Sequence, residues 1–431
     1  MRAQEYEAHI GMNVYTTLAP GIGGRLRKTP EDFVVQEIGL DGSIAPLEPS
    51  DQEFVDQPGK FTAFFLVKRN LDSIQAIRRL SRSIGVSYKR FSYAGIKDRR
   101  AVTSQRVSYR GPPHNLVGRE DAQLLILHPH RVSRSIVPGA LKGNRFTIII
   151  RDIALPPKEV QQRLEQIQQE ISQAGGVLNF FGPQRFGVMR PNTHLIGKEI
   201  VQGNFEEAVR TLLENPVPSI NDDESTLTDD LPLGNYERAI GHYLNKHPGK
   251  FKDSFQVLPK DLVRLYVHAY QSFIFNQVIS ERATRGISLQ EPIVGDFTMA
   301  HSGEIHTARM VTENTRSKAQ QEVENGTRIL VVPVIGFDLE HVPLDGIMGE
   351  IISSILKIEN ITPSHFRIEE MPAFSSRGTF RPLLVTPSNL ELVVIDAEDD
   401  TPIQVKFDLQ KGSYASVILR EFMKPDSPAQ L

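Results

Sequence analysis

The sequence predicts an α+β fold, on three observations. Segments rich in β-formers and segments with helical periodicity are mixed without the strict strand–helix rhythm of a doubly wound sheet. Strand patterns gather at the two ends of the chain, before about residue 151 and after about residue 383, and the character of the sequence changes after about residue 187. At 431 residues the chain has room for two or three domains of about 100–200 residues each.

The elements follow in order. Residues 33–38 (FVVQEI) and 61–67 (FTAFFLV) read as strands. Asp72 is placed to cap a helix running to about Ile84. Ile74, Ile77, Leu80 and Ile84 recur at helical spacing on one side, Arg78, Arg79 and Arg82 lie off that stripe, and Gly85 stops it. A short strand over 91–94, a turn at Gly95, a strand near 103–109 and an apolar run over 122–128 come next, then a strand over 145–151. Pro156-Pro157 open a polar helix of about 158–174, ended by Gly175-Gly176. Asn215 to Asn235 holds five acids, three prolines and no Lys or Arg, the composition of a surface loop. A long helix is expected over 261–285, with Leu265, Ala269, Phe273 and Asn276 on one side; a strand over 329–335 and a helix over 344–357 follow it. The chain closes with strands at 383–386, 391–396 and 403–409 and a helix over 414–423, with no internal repeat.

Composition excludes several chemistries. Cysteine is absent, which removes disulfides, thiolate catalysis, iron–sulfur clusters and cysteine–zinc sites. No apolar run approaches the ~18 residues of a membrane helix, and the first residues lack a signal-peptide core, so a cytoplasmic protein is expected. The net charge of −3 conceals an asymmetry. Residues 78–145 carry 15 Lys and Arg against three acids, Asp98, Glu120 and Asp121. A basic region in an otherwise acidic chain suggests a polyanion facing one part of the molecule.

Three clusters carry candidate chemistry. In Arg90–Gln105 (RFSYAGIKDRRAVTSQ) one acid, Asp98, sits between Lys97 and Arg99-Arg100, and Gly95 permits close approach of the backbone to a ligand. Flanking cations favour the charged carboxylate. Such a group can be a nucleophile, a base or a metal ligand; it repels phosphate, so it needs another reason to be in a basic segment. The plain alternative is a surface ion pair. In Leu141–Phe146 (LKGNRF), Asn144 offers an amide suited to a base edge and Phe146 a ring face for stacking, against a Gly-Asn turn and a core ring. In Asn179–Gly187 (NFFGPQRFG), Gln184 and Arg185 stand among aromatics between two glycines, where Arg185 could bind phosphate or pair with a buried acid. Gly21-Ile-Gly-Gly24 lacks dinucleotide-site spacing, and His128-Pro-His130 and His242…His247 lack metal-ligand spacing. No metal is expected.

These strings together resemble the TruD family of tRNA pseudouridine synthases. Ala94–Gln105 (AGIKDRRAVTSQ) resembles the family signature, and five further strings stand in family order: Lys28–Glu37 (KTPEDFVVQE), Lys142–Phe146 (KGNRF), Asn179–Gly187, Ala269–Asn276 (AYQSFIFN) and Phe407–Glu421. The resemblance spans about residues 25–424 and is closer to the longer archaeal and eukaryotic members than to the compact bacterial ones. It implies Asp98 as catalytic nucleophile, Phe146 stacked on the target base with Asn144 beside it, and Lys28 near the catalytic aspartate. Lys97, Gln184 and Arg185 complete the expected substrate contacts. It implies a pseudouridine synthase catalytic fold, a mixed and largely antiparallel sheet with flanking helices, made of residues 1–187 and 373–431, with an α/β domain inserted over 188–372. The partner implied is tRNA, best known through uridine 13 of the D arm; a monomer is the default.

The chemistry fits such residues. Pseudouridine formation breaks N1–C1′, turns the uracil and joins C5 to C1′. Nothing is oxidised, so no cofactor is expected. The carboxylate attacks C1′ or uracil C6, or assists glycal formation. The base must leave its stack, at a few kcal/mol, and an aromatic face returns about 1–3 kcal/mol. Basic residues position phosphates without specifying sequence, and RNA shape supplies specificity. Two other classes remain open on the residues alone. A non-catalytic RNA-binding protein would gain nothing from Asp98, and a metal-dependent nuclease would need acids beyond Glu120 and Asp121.

Overall fold

The computed structural model describes residues 2–51, 54–187, 190–214, 234–301, 307–395, 401–427 and 430–431. Most of the acidic stretch 215–235 lies outside the described residues.

A mixed, mostly antiparallel sheet of eight strands organises the molecule. Its strands are β1 (Phe33–Ile38), β2 (Phe61–Arg69), β3 (Phe91–Tyr93), β4 (Val102–Tyr109), β5 (Leu124–Val132), β6 (Gly143–Ile150) and two late strands, Ser388–Val394 and Ile403–Gln410. The order is Ser388–Val394, Ile403–Gln410, β6, β1, β4, β2, β5, with β3 on β4. Among the described residues only β1 and β4 pair in parallel; their register sets Val34 against Val102 and Gln36 against Ser104. β3 takes the far end of the same β4 edge, Phe91 facing Tyr109. The loop between β3 and β4 therefore leaves and re-enters the sheet beside β1, and it carries Asp98.

Two helices flank the sheet. In α1 (Ser73–Ser83) the Asp72 carboxylate accepts from the backbone N–H of Ile74 and Gln75, the expected N-cap. Ala76, Ile77 and Leu80 bury against Phe64, Leu66, Val107 and Tyr109; Arg78, Arg79 and Arg82 face solvent. α2 (Pro157–Gln173) buries Val160, Leu164, Ile167 and Ile171 against the other half of the sheet, in a core shared with Phe146, Ile148, Val405 and Phe407.

Between the two halves of the sheet the chain makes a second unit. α3 (Thr193–Val201), α4 (Phe205–Glu214), α5 (Asn235–Lys246), α6 (Lys260–Thr284), α7 (Arg316–Glu324) and α8 (Gly346–Ile358) surround a four-stranded sheet of Phe297–Ala300, Arg309–Met310, Arg328–Val334 and Thr379–Pro382. Strand pairing carries this sheet past residue 372, because Thr379–Pro382 pairs with Val331–Val334. α6 matches the long helix expected, but it is buried nearly all round from Tyr266 to Arg282, and its Leu265 is exposed. α3, α4, α5 and α7 and the strands Phe297–Ala300 and Arg309–Met310 were not read from the sequence. They are short, and their apolar faces are narrow.

One continuous core joins the eight-stranded sheet, α2 and the helices of the second unit. Asn276 of α6 donates to the Ile10 and Phe181 carbonyls and accepts from the Phe181 N–H. His194 of α3 is 1% exposed. Its ring stacks on Phe273 and meets His9 and Phe186 edge-on, and burial lowers its pKa to about 3. Arg420, in the final helix Ala415–Met423, pairs with Glu7 and Glu421, all three fully buried.

Candidate active site

Asp98 stands on the 94–101 loop with its side chain 42% exposed, although the loop beneath it is locked in protein. The Lys97 N–H donates to Ser73 Oγ (3.0 Å), Ser73 Oγ to Gln105 Oε1 (3.1 Å), and Gln105 Nε2 back to the Gly95 carbonyl (3.1 Å). Lys68 Nζ, at the end of β2, donates to the Asp98 carbonyl at 2.6 Å. The Ala101 carbonyl accepts from the Asn70 N–H. An exposed carboxylate is thus mounted on a backbone with little freedom.

The cation beside it is Arg27. Arg27 Nη2 lies 3.7 Å from Asp98 Oδ1, with the arginine side chain 15% exposed. Arg100 Nη2 reaches over to donate to the Arg27 carbonyl. Arg27 has a φ of +56°, in the left-handed region uncommon for side chains of its size. Its guanidinium lies over the Phe33 ring. Phe33 meets Phe146 edge-on at 6.2 Å, and Phe146 stacks on Phe407 at 5.4 Å. A continuous path of contacts therefore runs Asp98–Arg27–Phe33–Phe146–Phe407.

Lys28, expected near Asp98, instead pairs with Asp152 at 2.7 Å. The left-handed backbone at Arg27 turns that side chain inward over Phe33 and leaves Lys28 beside Asp152. Lys97 is also turned inward: it is 5% exposed and its Nζ is 2.9 Å from the fully buried Glu37 carboxylate. In this conformation it faces Glu37 and not solvent. Arg106 supports the same carboxylate, its N–H donating to Glu37 Oε1.

β6 brings the second cluster to the same place. Asn144 faces Glu37 of β1 in the ladder and Phe146 faces Val35. A Cβ at Gly143 would collide with the Leu409 carbonyl, so only glycine lets the strands close here. Asn144 Oδ1 is buried with no hydrogen-bond partner among the described residues, an acceptor held in reserve. Phe146 is 6% exposed, mostly a core ring with a small open margin.

Gln184 and Arg185 belong to a different neighbourhood. Gln184 Oε1 accepts from Ser416 Oγ. Arg185 lies over Phe181, and Arg381 covers the same ring at 4.2 Å while its Nη1 donates to the Gly412 carbonyl. Gly412 lies two residues beyond Gln410, the end of the strand that flanks Phe146. A 310 Å³ cavity lined by Phe181, Arg381, Lys411 and Ser413 opens there. No described contact joins Gln184 or Arg185 to Asp98.

Of the 15 cations between 78 and 145, eleven are exposed, so the basic segment does present a positive surface around the loop. Among the described residues no group of three or more His, Asp or Glu is arranged to hold a metal ion, and no helix is long and apolar enough to cross a membrane.

The family model described as tRNA pseudouridine synthase D (TruD) matches residues 9–422. The chain belongs to the TruD family. Among curated TruD relatives, a tRNA pseudouridine synthase D of Methanosarcina acetivorans is 36% identical over all of this chain and 99% of its own length. One from Thermococcus gammatolerans is 36% identical over 94% of this chain and 96% of its own. The crystal structure of a tRNA pseudouridine synthase D from Methanosarcina mazei superimposes with a TM-score of 0.81 at 33% identity, each chain covered completely. The eight-stranded sheet with its second unit is therefore the TruD fold, as the sequence strings suggested.

Two residues of this TruD site escaped the sequence reading. Arg27 was passed over for its neighbour, and only the adjacent basic pair Arg27-Lys28 could have flagged it. Lys68 is the last residue but one of a largely apolar strand (FTAFFLVKR), where an ammonium reads as a strand end in water and not as a buried contact.

Proposed function

We propose that the protein is a tRNA pseudouridine synthase that isomerises uridine 13 of the D arm, with the Asp98 carboxylate as nucleophile and no cofactor. The observation that carries this reading is an open carboxylate on a fixed loop, 3.7 Å from an arginine. A nucleophile must be charged, exposed to substrate and held in direction. Asp98 is open to substrate and fixed in direction by its loop, and the Arg27 guanidinium sets a cation beside its carboxylate.

The rest of the site supports the same reaction. A uracil turned out of its stack presents an N3–H donor, and Asn144 Oδ1 is an unpaired acceptor. The Arg27 guanidinium and the open margin of Phe146 offer stacking surface beside it. The exposed arginines and lysines of 78–145 suit phosphates on either side of the target. During turnover the carboxylate adds to C1′ or C6, or assists glycal formation, and is released intact when C5 joins C1′ and loses its hydrogen. The charge on Asp98 is thus restored without an external reductant or activated donor.

The test is tritium release from tRNA transcripts labelled at uridine C5, with wild type and Asp98→Asn. Wild type should release tritium, and should fail on a transcript with cytidine at position 13. Asp98→Asn should bind tRNA within a few-fold and release none. Release by Asp98→Asn at the wild-type rate would overturn the assignment of the nucleophile. Release from the position-13 variant would overturn the choice of target.

A further inference from the structure

Lys68 is fully buried, which is rare for lysine unless its charge is compensated. Among the described residues no carboxylate stands within ion-pair distance of its Nζ. It contacts backbone instead, the Asp98 carbonyl at 2.6 Å and the Lys97 carbonyl at 3.4 Å. An apolar side chain would fill the same volume more cheaply, but would leave the Asp98 carbonyl without this donor. The position therefore serves the loop and not the core.

Resting on the reading of Asp98 as nucleophile, we propose that Lys68 is a positioning residue: its ammonium, beneath the 94–101 loop, fixes the peptide that carries Asp98 and so aims the carboxylate at the substrate. Lys68 itself does not reach RNA. Residues Thr103 on β4 and Leu124 on β5 face it in the ladders and are neutral. The charged groups acting on it are Asp98 and Asp72, which favour the ammonium, and Lys97, which opposes it; burial outweighs them and lowers its pKa to about 8. Protonated below that value, the clamp is charged; above it, the amine binds the carbonyl less strongly. Turnover should fall as pH rises through about 8. The same group's contribution to folding stability moves the other way. The unfolded chain holds this proton up to about pH 10.4, so stability from Lys68 rises between pH 8 and 10.4. Alkaline loss of rate from this source is therefore not unfolding.

The experiment is single-turnover isomerisation of a tRNA transcript from pH 6.5 to 9 by wild type, Lys68→Arg and Lys68→Met, with tRNA affinity measured alongside and Asp98→Asn as control. Wild type should lose rate above about pH 8, and Lys68→Arg should lose that alkaline limb. Lys68→Met should turn over at least tenfold more slowly at pH 7 with tRNA affinity unchanged. A flat wild-type profile between pH 7 and 9, or a Lys68→Met rate within twofold of wild type, overturns the proposal. If Lys68→Met does not fold, the wild-type and Lys68→Arg profiles decide; if neither variant folds, the wild-type profile decides. An active Asp98→Asn would instead overturn the nucleophile.

Discussion

The guanidinium of Arg27 lies 3.9 Å over the ring of Phe33, so the cation paired with the Asp98 carboxylate takes its height from the aromatic core. A side chain that must stack and present charge at once is poorly replaced by lysine, whose ammonium is a point charge on a flexible stem. Burial lowers the Arg27 pKa, and Asp98 acts against that shift.

Replacing Arg27 with methionine should cut turnover by about 10- to 100-fold, the scale of losing a charge-assisted contact of about 1.5–3 kcal/mol. Arg27→Lys should recover only part of the rate. Single-turnover kinetics check this, with Lys28→Met as comparison. Lys28 faces Asp152, so its loss should leave the chemical step within about twofold. The reverse pattern would return the role to Lys28.

Phe146 should behave as both a core and a site residue. Phe146→Ala should destabilise by about 3–5 kcal/mol through the cavity it leaves, read from urea unfolding. Phe146→Leu should cost under about 1.5 kcal/mol of stability, yet lose about 1–3 kcal/mol in kcat/KM if the ring's open margin receives the base. Unchanged kcat/KM in Phe146→Leu would leave Phe146 a packing residue only.

Lys97→Met should fail through folding and not through RNA affinity. It leaves the buried Glu37 carboxylate with the Arg106 backbone N–H and a guanidinium at 3.9 Å, and breaking a buried pair costs about 3–5 kcal/mol. The double variant Lys97→Met with Glu37→Leu should regain part of that stability. Denaturant midpoints of the single and double variants decide it.

His194 predicts acid sensitivity. Its folded pKa, about 3, lies below the unfolded value of about 6.5, so the unfolded chain binds the extra proton. Stability from this group is intact above pH 6.5 and falls by about 1.4 kcal/mol per unit as pH drops below that value toward 3. His194→Phe should flatten the slope between pH 6 and 4, measured by chemical denaturation at each pH. An unchanged slope would place the acid lability elsewhere.

Sequence patterning revealed what local chemistry encodes. Asp72 announced a cap, a run of β-formers announced β1, and the isolated acid in a basic run announced Asp98. Hidden were features that depend on partners distant in sequence. Lys97 reads as a solvated cation until β1 brings Glu37 to it across 60 positions. Arg27 and Lys28 are equivalent on the page, and a left-handed turn decides between them. The buried face of α3 is legible only once α6 lies across it, and that of α4 only once α3 packs on it. Gln184 and Arg185 share a recognisable string with the rest, yet their contacts are with Ser416 and Phe181, because a string in family order records ancestry and not adjacency.

The place of β6 in the sheet has a consequence for how the protein is made. On one side β6 pairs with β1, which precedes it; on the other it pairs with Ile403–Gln410, synthesised more than 250 residues later. Until that strand leaves the ribosome, the ring of Phe146 lacks the cover of Phe407 and the edge of β6 offers free amides and carbonyls to any neighbour. A nascent chain in this state is a natural client for a chaperone, and the reactive loop is given its full scaffold only near the end of translation.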